Sequence, residues 1–288
     1  MPIENVSDTA RWVAYYRAME TDRRDARFRD PYARRLAGPE GQRIVEEMPR
    51  GKATAWAMIT RTVVFDEVIL DVVRSRKIDC VVNLAAGLDA RPWRLSLPPS
   101  LRWIDVDLPV MLDYKTSMMR DVEPVCAYEA IPTDLANADE RAALFSRLGA
   151  TTSAALVITE GLLIYLTDDQ VTGLTRDLHR EPSFRWWLFD LASPRLLQII
   201  RKSWGRTLER GNAPFRFAPP NGTDFFRSLG WREIMYRSSL EEAHRIRREM
   251  PMMWLWRFMS RFSPPEKREE ARRISGYVLL ERMDEPDA

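Results

Sequence analysis

The spacing of apolar and polar positions changes near residue 76. Before that point apolar residues recur at helical spacing in three segments, 7–22, 30–41 and 53–76. The second segment opens with an Asp-Pro pair, a common helix start, and is predicted to end at Gly38-Pro39. The pattern therefore predicts an N-terminal region built from helices.

Beyond residue 76 the pattern consists of short apolar runs separated by helical or loop segments. Several runs are apolar on both faces, which is typical of central parallel strands covered by helices. Two later runs, 231–237 and 274–282, are candidates for an antiparallel edge pair. This order predicts a doubly wound α/β fold with a mostly parallel sheet. The five earlier runs are residues 79–85, 101–108, 125–131, 154–161 and 184–192.

Composition narrows the class of protein. The 288 residues are 45% hydrophobic and 30% charged, as in ordinary globular proteins. No window holds 18 apolar residues, and the first residues lack a basic segment followed by an apolar run. We therefore expect neither a membrane span nor a secretory leader. Cys80 and Cys126 show no metal or redox spacing, so we expect a cytoplasmic protein with buried thiols and no bound metal.

The formal net charge is only +2, but the charge is unevenly spread. Residues 195–282 hold 19 Lys and Arg against 10 Asp and Glu. A basic C-terminal third favours an anionic small substrate or an acidic partner, and the alternative is a set of solvated helix faces. We expect no nucleic-acid partner, and the oligomeric state stays open.

Small and acidic residues follow the first two predicted strands. Ligands of open α/β sheets bind at the carboxyl ends of strands. Ala85-Ala86-Gly87 ends the first strand, and small residues there let a ligand approach the backbone closely. Asp107 ends the second strand, 20 residues beyond Gly87, where a carboxylate is expected to bind the ribose hydroxyls of a nucleoside. Asp105, on the same strand face, is the alternative.

The next two strands also end in candidate residues. Asp134 follows the third strand and suits an adenine amino group, with Leu135 packing on the ring, but it suits the N-cap of a helix equally well. Glu160 ends the fourth strand, and a buried carboxylate there needs a partner such as a ligand ammonium group. Thr167 and Gln170 predict a capping box for the helix that follows.

Seven short motifs occur together, in order, over residues 9–167. With these motifs the chain resembles the leucine carboxyl methyltransferase family, class I methyltransferases that use S-adenosylmethionine, and most of all its bacterial branch of O-methyltransferases. The resemblance implies a Rossmann-like sheet of seven strands. The motifs are TARWVAYYRAMETD, RDPYARRLAG, TRTVVFDEVI, VVNLAAGLDARPWRL, IDVDLP, TDLA and TEGLLIYLT.

The resemblance implies a role for each matched position. Arg61 faces the carboxylate of the cofactor's methionine moiety, as suits a bidentate guanidinium, and Arg17 is a second basic contact from the N-terminal cap. Ala85 and Gly87 line the methionine part, and Asp107 binds the ribose hydroxyls.

The remaining roles concern the adenine and the reacting group. Asp134 and Leu135 frame the adenine, and Glu160 lies by the amino group or the sulfonium. Tyr165 lies near the path of methyl transfer. The product is S-adenosylhomocysteine.

The resemblance also divides the chain. We expect one methyltransferase domain over residues 1–288. Its parts are an N-terminal helical cap (1–76), a cofactor-binding core (77–193), a helical insertion or substrate cap with a late strand (194–265), and a last strand with a tail (266–288).

The sequence departs from the family where a Gly-x-Gly pair is usual, because Ala85 stands in place of the first glycine. If position 85 requires positive φ, alanine costs on the order of 1 kcal/mol there and its methyl crowds the cofactor. With negative φ the change is nearly neutral.

The acceptor is expected to be a carboxylate, which needs no general base, or else a hydroxyl, which does. The chain has two histidines. A solvated role is favoured over catalysis for His179, and an approach of His244 to the substrate is an alternative that is disfavoured. Residues 249–262, rich in Met and Trp, line an apolar substrate pocket or pack on the core, with docking to a membrane surface a more distant reading. We therefore expect an anionic, partly apolar small-molecule acceptor.

Two other functions fit the same sequence. The first is a non-catalytic protein that binds S-adenosylmethionine and keeps the fold, an alternative that Ala85 motivates. The second is a nicotinamide dehydrogenase, which the absence of G-x-G-x-x-G disfavours.

Overall fold

The computed structural model describes residues 6–48, 51–210, 215–250, 252–260 and 262–284. Within these ranges the side chains of residues 6–8, 52, 203–210, 254, 256–257 and 260 are excluded from the description.

A seven-stranded sheet forms the centre of the molecule, in the order β3-β2-β1-β4-β5-β7-β6. β1 to β5 are parallel, whereas β7 runs antiparallel to both β5 and β6. The predicted mostly parallel sheet and its antiparallel edge pair are thereby confirmed. The strands are β1 (Cys80–Leu84), β2 (Arg102–Asp107), β3 (Ala127–Pro132), β4 (Ala155–Thr159), β5 (Phe184–Ala192), β6 (Trp231–Ser238) and β7 (Ser275–Arg282).

Three helices precede the sheet, as the helical spacing predicts: α1 (Val6–Thr21), α2 (Ala33–Glu47) and α3 (Gly51–Ser75). The sequence places the end of α2 at Gly38-Pro39, yet the helix continues to Glu47. Its backbone is broken at Gly38, with φ 60° and ψ −174°, and Pro39 starts the second half. The break arises because Gly tolerates positive φ, and Pro fits the first turn of a helix.

Shorter helices connect the strands and complete the C-terminal part. Thr167 caps α7 and exchanges hydrogen bonds with Gln170, which confirms the predicted capping box. The helices are α4 (Arg91–Arg94), α5 (Pro109–Met119), α6 (Ala138–Ala150), α7 (Asp168–Arg180), α8 (Pro194–Arg210), α9 (Asp224–Arg227), α10 (Ser239–Arg245), α11 (Met253–Ser260) and α12 (Pro265–Arg272), with a 3-10 turn at Leu163–Tyr165.

Apolar side chains cover the sheet on both faces, as a doubly wound fold requires. On one face the sheet packs against α6 and α7, and on the other against α3. All five residues of β1 and of β4 are buried, which explains why these two strands read as continuous apolar runs. No helix in the described ranges is long and apolar enough to cross a membrane.

One polar cluster lies inside this core, beneath the carboxyl end of β2. Asp105 is fully buried and pairs with the Lys115 ammonium, itself 1% exposed, at 2.5 Å. The Asp105 carboxylate also accepts hydrogen bonds from Trp103 (2.9 Å), Tyr128 (2.9 Å) and Asn83 (3.1 Å). With four donors around it, Asp105 holds β1, β2, β3 and α5 together, and it is no longer a rival of Asp107 for a ligand.

We predict that Lys115→Met lowers the free energy of unfolding by about 3 kcal/mol, because it leaves the Asp105 charge buried without its cation. Urea denaturation of the two proteins measures this difference. Arg232→Met, which removes a largely exposed pair with Glu281, is the control and changes stability by less than about 1 kcal/mol. Equal effects of the two variants would contradict a structural role for Lys115.

Candidate active site

The candidate residues gather at the carboxyl ends of the central strands. The strand order reverses between β1 and β4, where the connections leave the sheet in opposite directions. Such a switch point opens a crevice above the sheet and is the usual ligand site of open α/β folds. Gly87 follows β1, Asp107 ends β2 and Glu160 follows β4, so the fold brings these three predicted residues to one edge.

Asp107 and Gly87 are in direct contact. The Gly87 N–H donates to Oδ2 of Asp107 at 2.7 Å, and the Leu108 N–H donates to Oδ1 at 2.7 Å. Burial raises the pKa of the Asp107 carboxyl, and these two backbone donors only partly offset the rise. Each carboxylate oxygen accepts more than one hydrogen bond, so Asp107 keeps acceptor capacity for hydroxyl groups.

The turn after β1 has left-handed backbone at both of its ends. Gly87 has φ +50°, and Ala85 has φ +52°. The condition stated for Ala85 is therefore met: the position takes positive φ, where a Cβ is crowded by the carbonyl oxygen. The alanine consequently stores strain in this turn.

Glu160 and Arg61 bind each other. Arg61 Nε lies 2.9 Å from Glu160 Oε1, and Arg91 Nη1 lies 2.7 Å from Glu160 Oε2. Arg61 also reaches Asp190 on β5 at 3.3 Å. Burial works against its charge, but the carboxylates of Asp190 and Glu160 outweigh burial and raise the pKa of Arg61. The partner that buried Glu160 needs is thus supplied by two arginines of the chain itself.

These pairs belong to a continuous network under the crevice. In the described part of the chain it joins four guanidinium groups to five carboxylates, so it carries one formal negative charge in excess. Its members, in order of contact, are Arg17, Asp30, Arg94, Asp66, Arg91 with Asp89 and Glu160, Arg61, and Asp190.

Asp190 and Glu160 are the most exposed carboxylates of the network, at 24% and 15%. The network thus carries an excess negative charge and has partly exposed carboxylates, which suits a ligand that carries a cationic group. An amino group or a sulfonium of S-adenosylmethionine has this charge, and the Asp107 carboxylate keeps acceptor capacity for hydroxyl groups. The residues present fit this cofactor.

The sequence prediction missed Asp190, Asp66, Arg91 and Arg94. A signal was available for Asp190, because it stands in the apolar run of β5 as Glu160 stands at the end of β4. Arg91 and Arg94 lie in the motif after β1 and are each 3% exposed. Their burial could not be foreseen, since it depends on Asp66 of α3 in a distant part of the chain.

Helix α1 lies across the turn after β1. A Cβ added to Gly87 would approach the Ala10 methyl to 3.3 Å. Arg17 donates through Nη2 to the Leu88 carbonyl at 2.5 Å and through Nε to Asp30 at 2.8 Å. Arg17, predicted as a second contact to the cofactor, therefore holds the turn through these bonds.

Asp134 and Leu135 lie beyond β3, beside the end of β2. The Asp134 side chain is exposed and accepts from the Ala136 N–H at 2.9 Å. Asn137 caps α6, so the alternative reading of Asp134 as the N-cap is wrong. Leu135 is half-buried against the core. Leu108, next to Asp107, adds an apolar side chain that is 44% exposed.

Tyr165 lies in the 3-10 turn after β4. Its ring packs edge-to-face on Phe215 with centroids 5.2 Å apart, and its hydroxyl bonds to the side chain of Thr9 on α1. Burial raises the pKa of the Tyr165 phenol, which is protonated at neutral pH even at its usual value of 10.0 and can donate a hydrogen bond. The loop that carries Phe215 is fixed to this turn, because the Arg216 and Phe217 N–H groups both donate to the Ile164 carbonyl.

The histidines lie in other surroundings. His179 is half-buried and bonds to the Met283 carbonyl at 3.0 Å, so its predicted solvated role is only partly correct. His244 is exposed and lies 3.2 Å from Glu249.

Much of the basic C-terminal charge is compensated locally. Arg237 and Arg245 pair with Glu67 and Glu242, and Arg273 pairs with Glu233. These ion pairs favour the alternative that the basic residues lie on solvated helix faces over the prediction that they attract an anionic substrate or an acidic partner. Residues 249–262 lie partly outside the described residues. Among those described, Met250 and Met253 line a small cavity together with Trp56 of α3, and Phe258 and Phe262 are exposed.

The chain matches a known family over most of its first two thirds. Residues 10–179 match the model of the family described as leucine carboxyl methyltransferase. A protein of Streptomyces coelicolor, named "putative S-adenosyl-L-methionine-dependent methyltransferase", is 34% identical over 175 residues, which cover 57% of this chain and 60% of that protein. A protein of Mycobacteroides abscessus with the same name is 34% identical over 194 residues, covering 60% and 61%. The chain thus aligns with about three fifths of each relative's length.

Solved structures match over nearly the full chain. A DUF574 family protein from Streptomyces avermitilis superposes with a TM-score of 0.58 at 14% identity, covering 96% of this chain and 97% of that chain. A protein from Thermobifida fusca, described as a "putative methyltransferase", gives 0.59 at 13% identity, covering 98% and 96%. At this identity the likeness shows a shared fold.

We predict that Ala85→Gly raises the free energy of unfolding by about 0.5–1 kcal/mol. Glycine adopts positive φ without strain, which stabilises the folded protein. It also raises the conformational entropy of the unfolded chain, which cancels part of this stabilisation. Thermal unfolding measures the change. Ala86→Gly, at a position without positive φ, is the control and should lower stability. A loss of stability in Ala85→Gly would show that the turn is not strained.

Proposed function

The chain belongs to the leucine carboxyl methyltransferase family, and from this premise we propose that it is an S-adenosylmethionine-dependent O-methyltransferase. Its acceptor would be a carboxylate, or alternatively a hydroxyl, of a small molecule. The product would be S-adenosylhomocysteine. The observation that carries the proposal is the placement of Asp107 against the turn after β1.

Asp107 supports the proposal for the nucleoside half of the cofactor. Its carboxylate is anchored by the Gly87 and Leu108 N–H groups at 2.7 Å each, which fixes its direction at the end of β2. We assign to it the ribose hydroxyls. The exposed Leu108 and the half-buried Leu135 offer apolar surface for the adenine, and Asp134 an acceptor for its amino group.

The charge network supports the proposal for the methionine half. Glu160 would hold the ammonium group and Arg61 the carboxylate, while the excess negative charge of the network favours a cationic ligand. Ala85 and Gly87 would line this part of the site.

The proposed cofactor supplies an electrophilic methyl group on sulfur. Transfer is an in-line displacement, so the task of the protein is to position the acceptor oxygen and to exclude water. Tyr165 is suited to positioning, because a phenol is protonated at neutral pH and can donate a hydrogen bond to an acceptor oxygen, and burial raises its pKa further. A phenol that stays protonated is a poor general base, which favours an acceptor that is already ionised, namely a carboxylate.

A non-catalytic binding protein is the alternative function. The strained Ala85 and the close packing of Ala10 on Gly87 favour it, because both crowd the turn on which the cofactor depends. Calorimetric titration with S-adenosylmethionine and S-adenosylhomocysteine, followed by transfer of a labelled methyl group to libraries of carboxylates and hydroxyls, separates the two. Binding without transfer to either library would favour the alternative, and no binding at millimolar ligand would overturn both.

We predict that Asp107→Ala weakens binding of S-adenosylhomocysteine by roughly 1.5–3 kcal/mol, the range for hydrogen bonds to a charged group. Isothermal calorimetry measures the change. Asp113→Ala, which removes an exposed carboxylate from the same side of the sheet on α5, is the matched control and leaves the affinity unchanged. Equal affinity of the wild type and Asp107→Ala would mean that another group binds the ribose.

We predict that the affinity falls as the pH is lowered toward the raised pKa of Asp107. The ionised carboxylate is the form that accepts from hydroxyls, and burial makes the free protein hold its proton at a higher pH than the usual 3.8. Binding therefore releases a proton in the range above 3.8. Calorimetry in buffers of different ionisation enthalpy detects this release, and its persistence in Asp107→Ala would assign it to a different group.

A further inference from the structure

A buried ion pair joins the first helix to the segment that follows α10. Arg248 is 8% exposed, and its Nε and Nη2 lie 3.0 and 2.9 Å from the two carboxylate oxygens of Glu20. Glu20, near the end of α1, is fully buried and also accepts from the Arg27 N–H at 2.7 Å. Arg248 further donates to the Asp25 carbonyl at 2.8 Å. A guanidinium bound in this two-pronged way fixes direction as well as distance.

The backbone around Arg248 is shaped to turn this side chain inward. The Arg247 and Arg248 N–H groups donate to the carbonyls of His244 and Ala243, which is the pattern of a Schellman helix end. Glycine is usual at the left-handed position of this motif, yet Arg247 occupies it with φ +57°. Ile246, in the same turn, is buried in the cluster of α1, α2 and α3. The strained turn and the ion pair thus fasten one segment, residues 246–248, to α1.

The same helix touches the candidate active site with its other side chains. Ala10 packs on Gly87, Arg17 donates to the Leu88 carbonyl, and Thr9 bonds to Tyr165. Helix α1 is therefore fastened near its C-terminal end to the segment after α10, and it contacts the turn after β1 through Ala10 and Arg17.

We propose that Arg248 is a positioning residue: through Glu20 it holds α1 in the place from which α1 orders the turn at residues 85–88. The expected effect of Arg248 on cofactor binding rests on the proposed function, since the ordered turn is where the cofactor would bind. Its structural part, the coupling of Arg248 to the turn, is independent of any ligand.

The first test uses hydrogen exchange in the protein without ligand. Arg248→Met is expected to speed exchange of the amides in residues 85–90 about tenfold, a coupling of ordinary size between packed elements. Arg237→Met is the matched control, because Arg237 ties the same α10 to α3 through Glu242 and Glu67. Rates are compared at an equal interval below each melting temperature, so that a general loss of stability affects both variants alike.

The second test measures binding of S-adenosylhomocysteine by calorimetry. Arg248→Met is expected to weaken it about tenfold and Arg237→Met less than twofold. Arg248→Lys keeps the charge and loses the second hydrogen bond, so its affinity should lie between those of the wild type and Arg248→Met. If Arg248→Met does not fold, Arg248→Lys replaces it in both tests. Unchanged exchange at residues 85–90 would overturn the coupling even if the wild type binds the ligand. Faster exchange together with no binding by the wild type would uphold the coupling and reject the proposed function.

Discussion

The site depends on a network of buried arginines and carboxylates beneath the crevice. Moving such charges out of water is expensive, and it is offset only where each charge has well-placed partners. Arg91 meets this condition with three carboxylates, Asp66, Asp89 and Glu160, each at 2.7 Å. These carboxylates come from α3, from the turn after β1 and from the end of β4, so one guanidinium fixes the relative position of three elements. Removing it would take away the arginine that pairs with Asp89 and would leave Asp66 and Glu160 with one arginine each, Arg94 and Arg61.

The network also explains why the sequence predicts the elements of the site better than its contacts. The strands could be predicted because burial on both faces produces a continuous apolar run in the sequence. The position of Asp107 at the end of β2, beside the turn after β1, could be predicted from the order of strand, turn and helix, whereas its binding of ribose stays a prediction. The partners of Arg61 could not be predicted, because Glu160 lies 99 residues away and Asp190 lies 129 residues away. Pairings over such separations are set by packing of the whole domain and leave no local pattern.

Backbone conformation sets a second limit to prediction. The glycine at position 87 is typical of a left-handed backbone conformation, whereas an alanine at position 85 predicts negative φ. The structure nevertheless gives Ala85 a φ of +52°. Propensity is overridden here because the Ala86 N–H bonds to Val106 of β2 and the Gly87 N–H bonds to Asp107. Two hydrogen bonds to a neighbouring strand outweigh a strain on the order of 1 kcal/mol. The same limit applies to α2. The break in its backbone at Gly38 could be predicted from the sequence, but the continuation of the helix to Glu47 could not.

The closed Arg61–Glu160 pair is compatible with the proposed function, although it occupies both residues. The amino-acid end of S-adenosylmethionine carries one positive and one negative charge, the same two charges as the pair. Under the proposed function it would exchange partners with Arg61 and Glu160 without leaving any charge unpaired, because Arg61 also pairs with Asp190 and Glu160 also pairs with Arg91. A ligand with a single negative charge has no such route, because it would compete with Glu160 and Asp190 for Arg61 and add to an existing excess of negative charge. Under the proposed function, the network would therefore discriminate between ligands by their charge pattern and favour a zwitterion with a further cationic centre.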